Sequence, residues 1–141
     1  MAVKTYDPKD IIIIFGPLLI NSGFADGTFV SVNRANPMWT RQIGSDGEGA
    51  RSKSNDKSGD IAFTLMQTSS QNQGLSTLAQ LDELGNAGAF PLMIKDANGN
   101  TLYTAETAWV TKFADSEYAR EAGNRTWELQ TDILVVNIAG N

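Results

Sequence analysis

Three stretches of this chain place apolar side chains at alternate positions, and that spacing constrains the fold more than any other feature. Ile61, Phe63 and Leu65 alternate with Ala62, Thr64 and Met66, the period of a strand with one buried face. Tyr103, Ala105, Thr107, Trp109 and Phe113 are predicted to share one face of residues 102–113, with Glu106 and Lys112 opposite. Trp127, Leu129, Ile133 and Val135 fall on one side of residues 126–138, against Glu128, Gln130, Asp132, Leu134 and Val136.

Turn chemistry divides the rest of the chain. Ile11–Phe15 is almost wholly β-branched and stops at Gly16-Pro17, so it reads as a buried strand, with Leu18–Ile20 continuing beyond a bend. Asp26-Gly27 marks a turn, and residues 28–35 suit a strand with Val30 and Val32 on one face, ended by Asn36-Pro37. Asn98-Gly99 stands between two apolar runs and signals a hairpin. Ser70-x-x-Gln73 has the form of a capping box, and Leu75, Leu78, Leu81 and Leu84 precede Gly85, a suitable residue just past a helix end. A helix is therefore predicted over about residues 71–85. Its leucines step by three, which fits a helix packed between two surfaces.

Residues 38–59 are rich in Gly, Ser, Asp, Lys and Arg, with Trp39 and Ile43 as the large apolar exceptions. Such a segment supplies little core, so it is expected to be a long polar loop, mobile until a partner covers it. With 141 residues the chain makes one domain. The expectation is a single mainly β domain over residues 1–141: an antiparallel β-sandwich or barrel of six or seven strands, one flanking α-helix and a long polar loop.

Cysteine and histidine are both absent. Disulfides, thiolate nucleophiles and imidazole or thiolate metal sites are thereby excluded, as is any catalytic relay through histidine. Asp82, Glu83, Asp115, Glu117, Glu121, Glu128 and Asp132 are the remaining candidates for carboxylate catalysis, and they read as solvated surface acids. Gly44-x-x-Gly47-x-Gly49 lacks the order of a phosphate-binding loop and reads as a flexible loop. Asp96-x-Asn98-Gly99-Asn100 lacks the closing glutamate of a calcium loop and reads as a hairpin turn. Neither a cofactor nor a metal is expected.

Trp109 and Trp127 are assigned to the core, whereas Trp39 opens the polar segment and suits a protein partner. Residues 1–70 carry seven basic and seven acidic side chains, and residues 71–141 carry four and nine, so the net charge of −5 resides in the second half. That balance argues against tight nucleic-acid binding but allows a surface past which DNA slides. No apolar run is long enough to span a bilayer, and the first residues have no apolar leader core. Synthesis and retention in a cytoplasm, with no membrane partner, are expected.

The sequence as a whole resembles the tail tube proteins of contractile-tailed bacteriophages. The resemblance is carried by the opening 7–17 segment from Asp7 to Pro17, the Gly23–Gly27 turn, and Gly59–Leu65 leading into the leucine helix. The Asn98-Gly99 hairpin and Ala105–Val110 extend it. It implies hexameric rings stacked within a contractile sheath, an inner barrel continued from subunit to subunit, and a long loop reaching the adjacent ring. Partners implied are further copies of the chain, sheath, tape-measure and baseplate or terminator proteins. Genomic DNA would pass through the lumen unbound, in a virion tail assembled in the host bacterial cytoplasm.

Residues 38–59 match that loop in position and composition, making Trp39, Arg41, Ile43, Arg51, Lys53 and Lys57 the candidates for contact between rings or subunits. Glu106, Glu128, Gln130 and Asp132 are the candidates for the lumen face. The competing readings are the inner tube of a contractile injection or secretion system, a β-sandwich carbohydrate-binding module using Trp39, and a carboxylate hydrolase.

Overall fold

A computed structural model describes residues 3–140. A short 3-10 turn at Pro8–Asp10 leads into β1 (Ile11–Phe15), β2 (Leu18–Ile20), β3 (Val30–Arg34), β4 (Trp39–Ile43), β5 (Gly49–Lys53) and β6 (Gly59–Met66). After α1 (Gln71–Gly85) come β7 (Phe90–Asp96), β8 (Leu102–Lys112), β9 (Asn124–Thr131) and β10 (Leu134–Asn137). The main sheet runs β2-β1-β7-β8-β9-β6-β3, with β10 also on β8, while β4 and β5 pair separately. All pairings are antiparallel, as the alternating pattern requires.

One face of the main sheet carries the core. Ile13, Phe15 and Ile20 meet Ile61, Phe63, Leu65, Leu92, Ile94, Trp127, Leu129 and Leu134 there, all buried. The sheet folds over itself, so Val30 and Val32 of β3 line the same cleft, about 380 Å³, as Ile94 and Tyr103 of β7 and β8. α1 closes the core through Leu75 and Leu78. Each such buried leucine contributes about 1.5–3 kcal/mol relative to exposure.

Several local expectations are corrected. Gly16-Pro17 closes a tight hairpin, pairing Phe15 with Leu18, where a continuing bend was predicted. Gly16 has a left-handed φ of 55° and Pro17 fixes its own φ, a combination suited to a two-residue hairpin loop. β1 is half-buried, because only Ile13 and Phe15 point into the core. At α1 the Ser70 side chain makes no capping hydrogen bond. The Ser69 hydroxyl instead accepts from the Gln71 N–H at 3.3 Å. Asn86, not Gly85, takes the left-handed conformation after the helix, and its N–H donates to the Asp82 carbonyl. Leu81 and Leu84 are exposed, so the helix packs on one surface, not two.

Within the main sheet the largest correction lies where β8 meets β9 and β10. β9 and β10 both run antiparallel along β8 and form one strand interrupted at Asp132-Ile133. Opposite that interruption β8 itself slips: Leu92 pairs with Ala105 but Phe90 pairs with Ala108, leaving Glu106 and Thr107 as a bulge. Crossing a bulge inverts the inward and outward alternation. Ala105 and Ala108 are therefore both buried, and Trp109 is displaced to the outer face, half-buried, contrary to its assignment to the core. Likewise Leu134 is in the core, while Ile133 and Val135, expected inside, are exposed. Trp127 is buried as expected, at 3% exposure, with its indole N–H donating to Asn72 Oδ1 at 2.9 Å.

Candidate functional site

The segment predicted as a structureless polar loop contains a β-hairpin. Trp39 pairs with Lys53, Thr40 with Ser52, Arg41 with Arg51, Gln42 with Ala50 and Ile43 with Gly49. The glycines at its tip are turn residues: the Gly47 N–H donates to the Gly44 carbonyl at 2.9 Å, and Gly47 has φ 88°. Asp46 Oδ1 accepts from the Glu48 N–H at 3.0 Å and fixes the turn. Burial alone does not account for this hairpin, since every residue of both strands is exposed. Cross-strand hydrogen bonds and the Arg51 guanidinium, 3.9 Å from the centre of the Trp39 ring, hold it.

Residues facing one another across an antiparallel pair lie on the same side. Five of the predicted contact residues, Trp39, Arg41, Ile43, Arg51 and Lys53, therefore share one face, cationic and partly apolar. Lys57 does not join them. It lies beyond the hairpin, where its carbonyl accepts from the Leu134 N–H at 2.8 Å.

Between hairpin and sheet is a polar neck that sequence reasoning missed. Asp56 accepts from the Ser58 N–H at 3.0 Å, the Ser58 hydroxyl at 2.6 Å and the Asn36 side-chain amide. Ser58, ahead of Asn36, holds the Asp56 carboxyl below its ordinary value of 3.8, because those bonds favour the ionised form. The Ala35 N–H donates to the Ser58 carbonyl and the Ser54 N–H to that of Met38, closing both legs. Asp-x-Ser is a recognisable turn pattern, but only the fold brings Asn36 to it.

The predicted lumen residues separate into two groups. Glu128 and Gln130 project from the outer face of β9, and the register adds Asp60 beside Gln130, Ala62 beside Glu128, and Asn33 beside Asp60. Asp60 was legible as the outward neighbour of Ile61, but its place in this row needed the strand order. Glu106 and Asp132 instead line an open recess of about 670 Å³ at the β8 bulge. Asp132 also borders a second recess with Trp109 and Gln130.

Among the described residues no acidic cluster is arranged to hold a metal ion, and no helix is long and apolar enough to cross a membrane. Asp115, Glu117, Glu121 and Glu128 border one cleft with Lys112 and Arg125. Arg125 is buried and donates to the Glu117 and Asn124 carbonyls, so it anchors the 114–123 connection to the sheet.

Structural protein ORF10 of Pseudomonas phage KPP10 is 24% identical over 145 residues, covering 98% of this chain and 84% of that relative. A chain of the anti-feeding prophage cap, a tube terminating cap, has the same fold with a TM-score of 0.63 at 13% identity, over 99% of this chain and 95% of the other. A chain of the sheath/tube terminator of PVC, an extracellular contractile injection system in its extended state, superposes with a TM-score of 0.62 at 12% identity, over 97% and 100%. A chain of the PVC sheath-tube complex gives 0.59 at 13%, over 92% and 88%. Residues 18–139 match the family described as bacteriophage PhiTE tail tube protein. The chain belongs to that family, and it is a structural component of a phage tail, not an enzyme.

Proposed function

We propose that this chain assembles into hexameric rings that stack as the tube of a contractile tail, with genomic DNA passing along the lumen during ejection. The observation that carries the reading is the polar face across β3, β6 and β9, on which Asn33, Asp60 and Gln130 form one row and Ser31, Ala62 and Glu128 the next. A wall with that chemistry offers phosphates no array of cations, so DNA moves past it without being held. Lys112, across from Glu128, is paired with Asp115 at 3.3 Å. Glu128, Gln130 and Asp60 are the residues assigned to the lumen.

Ring closure draws on the sheet edges. β2 and β3 end the main sheet, and each has one strand neighbour. Head-to-tail pairing of such edges continues the sheet around a channel and removes a hazard of aggregation. Trp39, Arg41, Ile43, Arg51 and Lys53 are assigned to contact with a neighbouring copy. Sheath, tape-measure and baseplate or terminator proteins complete the partners, in a tail assembled in the host cytoplasm.

A second reading is the inner tube of a contractile injection system, favoured by the fold shared with PVC and the anti-feeding prophage. The phage relative and the family match weigh toward the phage tail. Negative-stain microscopy of the concentrated pure protein is expected to show rings or open-lumen tubes. Monomers or two-fold dimers alone, across a wide range of concentration and salt, would overturn the proposal.

A further inference from the structure

We infer that the recess at the β8 bulge is the receptor for the β4–β5 hairpin of a second copy of this chain, an assignment that rests on the tube reading and names its stacking or lateral contact. The recess is lined by apolar side chains, Ile14, Met93 and Val135 among them, and by the exposed acids Glu106 and Asp132. Val135 is 56% exposed. An alternation that ran through without interruption would have turned it inward, so the paired bulge and strand break are what create this surface.

The hairpin has the complementary composition. Trp39 and Ile43 supply apolar contact at 41% and 60% exposure, and Arg41, Arg51 and Lys53 share their face. Arg41 stands directly opposite Arg51, a like-charge pair that opposes hairpin formation until an anion lies against it. Among the described residues none of these three cations is in an ion pair, and neither are Glu106 and Asp132. The hairpin's own recess does not receive it, because the face bearing Ile43 is exposed while the recess stands open. A projecting element on one patch that fits a recess on a different patch makes a heterologous contact, and such a contact repeats without limit from copy to copy. Apolar contact combined with cations meeting acids fixes register as well as affinity.

The chain has no cysteine, so single thiols can be introduced one at a time. An Ile43→Cys chain and a Val135→Cys chain of different mass tags are mixed, assembled and oxidised; both positions are exposed, so neither change disturbs the core. The expected product is a heterodimeric disulfide at least tenfold above either homodimer and above the Ile43→Cys chain mixed with a Ser31→Cys control. In parallel, Glu106→Lys with Asp132→Lys should reduce assembled material at least tenfold, and adding Arg41→Glu with Arg51→Glu should restore most of it. Tubes that form without the Ile43 to Val135 crosslink, or that tolerate the charge reversal, overturn this contact while leaving the tube reading in place. A wild-type chain that forms neither rings nor tubes overturns both.

Discussion

Gly59 has ordinary strand backbone, yet a Cβ added there would stand 2.9 Å from the Cβ of Leu134, which is fully buried. The close approach lets β6 pass the point where β9 breaks into β10. Gly59→Ala overpacks the site and is expected to cost about 1–3 kcal/mol. It should lower the denaturation midpoint with little change in slope. Asp56 acts at the same scale but outside the core. Its depressed carboxyl contributes full stabilisation above the ordinary value of 3.8 and loses it as pH falls through the lower folded value, so nothing changes near neutrality. Asp56→Ala removes the acceptor at any pH, and amide exchange of residues 39–53 is expected to speed up severalfold without a shift in the global midpoint.

The hairpin of β4 and β5 is the element on which sequence and structure differ most. Composition led to the expectation of a loop because the segment has few apolar groups to bury, and the structure satisfies its backbone across a strand pair instead. A two-stranded hairpin alone is marginally stable in water, so trypsin is expected to cut after Arg51 and Lys53 in the monomer. Assembled tubes should resist at the same bonds by tenfold or more. Equal cleavage in both states would remove the hairpin from assembly. α1 was more legible: its span was readable from the leucines, but its caps were not. Ser69 and Asn86 took roles assigned to Ser70 and Gly85, since the exact frame of a helix end depends on what precedes it.

For the whole molecule, the division of acids between two surfaces separates two kinds of behaviour. If Asp60 and Glu128 line the channel, replacing both with lysine leaves assembly intact and converts the wall into one that holds phosphates. Virions carrying the double variant should eject DNA at least several times more slowly, and the delay should shrink as salt is raised. Ejection at the normal rate would place these residues elsewhere. The Glu106 and Asp132 reversal acts on assembly itself, so the two variant pairs fail at different steps.

The sequence by itself determined that the chain is an antiparallel β protein with one helix between Ser70 and Asn86, since period-two alternation and turn residues are local signals. The exclusion of histidine and cysteine chemistry was equally local. The faces of Trp109, Ile133 and Val135 were decided by tertiary structure, because a bulge in β8 and a break between β9 and β10 arise from how β8 pairs with β7 on one side and with β9 and β10 on the other. Periodicity counts positions along one strand and carries no record of where its neighbour slips. For the same reason Asp60 could be read as an outward residue, but its place beside Gln130, and the separation of Glu106 from Glu128, required the register of the folded sheet.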